Sequence, residues 1–80
     1  MHSEWSRIRR ALESDNHAVF KAWFAVLQRE CFASGHLVLR APTVFQADYI
    51  ATKLSEALYL AAAVAAPEVR QIDVLPGLQR

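Results

Sequence analysis

The chain is short of the residues that most small functional sites are built from. It has one cysteine, Cys31, which excludes an internal disulfide framework and every zinc pattern built on several cysteines. With no bridge to form, a reducing, cytosolic setting is the default. Glycine occurs twice, at Gly35 and Gly77, so neither a phosphate-cradling glycine loop nor a Gly-x-x-Gly clamp can be assembled. Three prolines and two glycines in 80 residues also exclude collagen-like and low-complexity chains. The longest apolar run, Leu58 to Pro67, falls well short of the roughly 20 residues that span a bilayer. The first residues, Met-His-Ser-Glu-Trp, lack the apolar stretch of a signal peptide. A net charge of +1 gives no bulk electrostatic pull toward nucleic acid. These absences point to a soluble cytoplasmic protein with no membrane contact and no cofactor.

What remains is apolar and aromatic. Apolar residues make up 54% of the chain, enough to drive collapse and exclude intrinsic disorder. A domain of this size buries only about 60–65% of the surface of its unfolded chain, so it has little room for a deep cleft. A single domain over 1–80 is expected, with its core in about 4–75 and a loose tail at 76–80.

Periodicity sets the elements. Trp5, Ile8, Ala11 and Leu12 share one helical face, with Ser3 as cap and Glu4 in the first turn. Asp15 or Asn16 caps a second helix carrying Phe20, Trp23, Phe24 and Leu27, and the two helices form a hairpin. Cys31 to Ala33, the turn Ser34-Gly35 and His36 to Arg40 read as a β-hairpin. Pro42 ends it. Thr43 with Gln46 three residues on is a capping box for a long third helix, whose stripe is Phe45, Tyr49, Ile50, Leu54, Ala57, Leu58, Ala61 and Val64. After Pro67, Val69 to Leu75 alternates as a strand with one wet face. The predicted fold is α+β, in the order α-α-β-β-α-β, with helices on a small three-stranded, K-homology-like sheet. Its last crossover is parallel.

Catalytic constellations are not found. His2, His17 and His36 show no helical metal-ligand spacing, so no metal site is expected. A Cys31–His36 dyad across the hairpin is the one nucleophile arrangement available, and Cys31 beside Phe32 reads instead as a small buried hydrophobe. Arg7, Arg10 and Lys53 are candidate nucleic-acid contacts. The eight aromatics are more than so small a core can take. Trp5, near the chain start, and Phe45, in the first turn of the third helix, are the candidates for exposed anchors.

The ordered set of these residues resembles the N-terminal domain of the bacterial replication initiator DnaA. The resemblance is carried by Trp5, Ile8 and Leu12, then Phe20-Lys21-Ala22-Trp23-Phe24 and Leu27. Gly35, Leu37, Leu39 and Ala41-Pro42-Thr43-Val44-Phe45 follow, then Asp48-Tyr49-Ile50 and the strand Ile72-Asp73-Val74. It implies a non-enzymatic interaction module in replication initiation. Such a module associates weakly with itself or with full-length initiator and binds the replicative helicase or replication regulators. In some members it touches single-stranded DNA weakly. The interaction residues it implies are Trp5 and Ile8 for self-association and Val19, Phe45, Gln46 and Tyr49 around the helicase contact. Val19 stands where some members carry an acidic residue, and Thr43 replaces the usual Asn while keeping the cap. A K-homology-like binder of single strands is the alternative reading.

Overall fold

The computed structural model describes residues 3–77. The expected tail at 78–80 and His2 lie outside the described residues. Helix α1, Glu4–Asp15, starts where the Ser3 hydroxyl accepts the Ser6 N–H at 3.1 Å. The side-chain oxygen of Asn16, not Asp15, caps the next helix by accepting the Val19 N–H at 3.1 Å. That helix, α2 (His17–Val19), runs straight into a π turn, Phe20–Phe24, closed by Ala25 N–H donating to the Phe20 carbonyl at 2.8 Å.

Strands β1 (Gln28–Ala33) and β2 (His36–Ala41) form the antiparallel hairpin. Its two-residue turn places Ser34 at φ 53° and Gly35 at φ 83°, the left-handed pair that suits the twist of a tight hairpin. The Gly35 carbonyl then accepts the N–H groups of Arg70 and Gln71, which anchors the start of β3 (Gln71–Pro76). β3 lies parallel to β2, giving a mixed sheet in the order β1-β2-β3. The strand begins two residues later than its alternation suggests, and Pro76 belongs to it rather than to a tail.

The long third helix is two helices. α3 (Val44–Lys53) and α4 (Ser55–Ala65) meet at Leu54, whose φ −119° and ψ 7° are not helical. The Thr52 hydroxyl donates back to the Asp48 carbonyl at 2.7 Å, a bond that bends helices, just before the break. Re-aimed in this way, α4 buries Leu58 and Ala62 and leaves Leu60 and Val64 in water, with Val64 81% exposed. The expected stripe through Phe45 and Val64 is corrected accordingly. The α+β class holds, and the element order differs by this extra helix.

The helices cover one face of the sheet. Leu37, Leu39 and Ile72 meet Ile8, Leu12, Phe20, Phe24, Ile50 and Leu58 in one core. His36, Val38, Arg40 and Asp73 lie on the other face. Cys31 is exposed, against the expectation of burial. A β-bulge at Glu30 is the reason. Arg29 sits opposite inward-facing Leu39, but Cys31 sits opposite Val38, because the inserted residue moves Cys31 to the outer face.

Candidate protein-interaction surface

Trp5 is the clearest correction. It is 6% exposed and Ile8 is wholly buried, so neither side chain offers an anchor on a free helix face. The start of α1 is held down from both sides. Buried Glu4 pairs with the Arg29 guanidinium of β1. Arg7 pairs with Glu68 and donates to the Ala65 carbonyl at 3.0 Å. These contacts close the helix end over the core that Trp5 enters.

Phe45 is the opposite case. It is 70% exposed in the first turn of α3. The capping box holds that turn: Thr43 Oγ1 accepts the Gln46 N–H at 3.1 Å and donates to Gln46 Oε1 at 3.2 Å. Gln46 is thereby spent on the cap and only half exposed. The ring of Phe45 lies 6.1 Å from Trp23 and 6.4 Å from Tyr49, and Trp23 stacks on Tyr49 at 4.1 Å with 19° between planes. Three rings from two elements thus form one surface cluster, with exposed Val44 beside Phe45.

Trp23 belongs to this cluster and also packs, half-buried, on the core, where its spacing in the second helix put it. The π turn accounts for this double position. The turn is wider by one residue, so Phe20 and Phe24 stay buried while Trp23 swings toward α3. Val19, four residues before Trp23, is half-buried and packs on the core.

The candidate nucleic-acid residues do not converge. Arg7 is engaged by Glu68, and the charge-assisted bond holds the Glu68 carboxyl below its usual range. Arg10 lines a depression with Ser6 and Arg9, whereas Lys53 lines a separate groove between α1 and α4. That groove, of about 770 Å³, was not foreseen; its rim includes Leu60, Ala61, Val64, Asp15 and Glu56. The exposure of Val64 has no signal in a window read as one continuous helix, whereas Leu60 already lay off the expected stripe. His36 Nε2 is 2.7 Å from Asp73 on the outer sheet face, so it faces β3 rather than Cys31. Among the described residues no three metal-ligating side chains gather, and no helix is long and apolar enough to cross a membrane.

A family model described as the DnaA N-terminal domain matches residues 2–63, most of the chain. The chain belongs to the DnaA N-terminal domain family. The matched span takes in α1, the π turn, the hairpin, α3 and most of α4, and so includes all three rings of the cluster. DnaA N-terminal domains are non-catalytic interaction domains, and membership ties the chain to initiation of DNA replication. No curated protein matches it.

Proposed function

We propose that this chain is a protein–protein interaction module of replication initiation that docks the replicative helicase, or a regulator of the initiator, on the Trp23–Tyr49–Phe45 surface. The observation that carries this reading is a mostly exposed Phe45 on a capped helix start, backed by two stacked rings. A rigid aromatic loses little rotamer entropy on docking, and such anchors dominate interface energetics. Val44 and Tyr49 extend the contact, Gln46 holds the helix start through the cap, and Val19 lies four residues before Trp23. The reading carries a cytoplasmic location with it, because the chromosome is there.

Self-association belongs to the same proposal, through a different surface from the one expected. With Trp5 and Ile8 in the core, Leu60 and Val64 on α4 are, with Phe45 and Val44, the most exposed of the large apolar side chains among the described residues, and they lie side by side for a second copy.

The test is Phe45→Ala, read by thermal melting and by binding to purified helicase and regulators together. Loss of an exposed side chain leaves stability within about 0.5 kcal/mol. Binding weakens by about 2 kcal/mol or more. A folded variant that binds as the parent does would overturn the assignment.

A further inference from the structure

Ser6, Arg9 and Arg10 of α1 are absent from the lining of the groove between α1 and α4. Together with Glu13 and Phe20 they line an open depression of about 510 Å³. Three other arginines of the chain are committed: Arg7 to Glu68, Arg29 to Glu4 and Arg40 to Glu30. Arg9 and Arg10 have no carboxylate partner among the described residues. Arg9 is also held in place. Its guanidinium carbon lies 5.5 Å from the centre of the Phe20 ring, and its Nε–H is buried with no hydrogen-bond acceptor. The cation–π contact and the buried Nε–H restrict the Arg9 side chain, so less side-chain entropy is lost when its remaining N–H groups engage a ligand. Phe20 is itself locked, as a core residue at the start of the π turn.

We propose that this depression is a binding site for a small phosphomonoester. A phosphate dianion presents three acceptor oxygens. The guanidiniums of Arg9 and Arg10 and the Ser6 hydroxyl, which line one depression, supply charge-assisted and neutral donors for them. The depression is open to water, so the body of a phosphorylated small molecule has room beside the phosphate. A nucleic-acid strand fits less well. Strand binding needs a succession of cations along the backbone, whereas here two arginines are followed by Glu13 and Asp15. The site is independent of the aromatic surface and stands or falls without it.

The experiment is an NMR titration of the intact chain, following the Arg9 and Arg10 side-chain Nε–H and the Ser6 amide resonances. The probes are inorganic phosphate, adenosine 5′-monophosphate and a short single-stranded oligothymidylate. The site predicts saturable shifts of those resonances with phosphate and with the nucleotide. Arg10→Gln, a change at an exposed position, weakens both by about tenfold or more, the loss expected for a charge-assisted bond. Arg9→Lys, which keeps the charge and loses the planar fork, weakens them too, and Lys53→Gln does not. Melting curves of each variant confirm that it is folded. Three results would overturn the proposal: no saturable shift with the nucleotide, which leaves an adventitious ion only; unchanged binding in folded Arg10→Gln; or tight, steeply salt-dependent binding of the oligonucleotide alone.

Discussion

Two aromatic residues that look alike in the sequence have opposite fates. Trp5 and Phe45 both lie in first helical turns, and both carry the family resemblance. The difference comes from what neighbouring elements do. Glu4–Arg29 and Arg7–Glu68 tie the beginning of α1 to β1 and to the segment after α4, and this closes the protein over Trp5. Nothing among the described residues closes over Phe45 except the edges of Trp23 and Tyr49. Trp5→Ala therefore acts on stability rather than on an interface. Removing a buried indole costs about 3–5 kcal/mol. In a domain of this length each kcal/mol lowers Tm by about 4–8 °C. The melt should fall by more than 10 °C, on the order of those two figures combined. A Trp5→Ala protein that melts with the parent would show that the ring is not in the core.

At the scale of elements, legibility follows locality. The caps at Ser3, Asn16 and Thr43 and the Ser34-Gly35 turn each rest on residues within three positions of one another, and each is readable from the chain. So is β2, whose alternation is uninterrupted. The bulge at Glu30, the π turn and the break at Leu54 are different. The first two each shift a side-chain period by one residue, and the break at Leu54 redirects the helix, to satisfy packing set by other elements. Those three irregularities moved Cys31 outward, brought Trp23 to Tyr49 and exposed Val64. The aromatic surface was thus legible in Phe45 and Tyr49, while the stacking of Trp23 on Tyr49 was not. Tyr59 shows a related device. β3 is an edge strand, and the Tyr59 hydroxyl accepts the Ile72 N–H at 2.9 Å and donates to the Ile72 carbonyl at 3.1 Å. One phenol thereby occupies both outward-facing groups of that residue, which would otherwise invite another strand. Tyr59→Phe leaves both without that partner in a partly buried position and should cost about 1–3 kcal/mol. It should also speed amide exchange at Ile72 more than at Leu37. Equal exchange at the two amides would count against the plug.

The whole molecule is held by a core on one side of the sheet and by ion pairs that stitch its margins. Glu30 bonded to Arg40 and Glu68 bonded to Arg7 have carboxyl pKa values lowered from the usual 4.5. A lowered folded value means the pairs stabilise fully above that usual value, and the contribution is lost as pH falls through the folded values. Melting temperature should therefore start to drop as pH falls below about 5 and keep dropping as the folded values are passed, less steeply in high salt, because both carboxylates are open to water. A profile flat across that range would mean that the pairs do not form in solution. The remaining apolar surface decides how copies meet. Leu60 and Val64 lie about one turn apart on α4, and the groove beside them has Lys53, Asp15 and Glu56 on its rim. Because the rim carries both signs, a copy turned by a two-fold axis can set its acids against Lys53 while the apolar side chains meet at the centre, as an isologous contact requires. A patch of two large side chains is small, so the dimer should be weak, with a dissociation constant in the region of about 1 mM, or roughly 4 kcal/mol. Sedimentation should show mass rising from 9.0 kDa with concentration. Val64→Lys, at a position 81% exposed, should remove the rise without lowering Tm. Trp5→Phe, a conservative change inside the core, should keep it. A parent protein that stays monomeric at millimolar concentration, or a Val64→Lys protein that still associates, would take self-association away from α4.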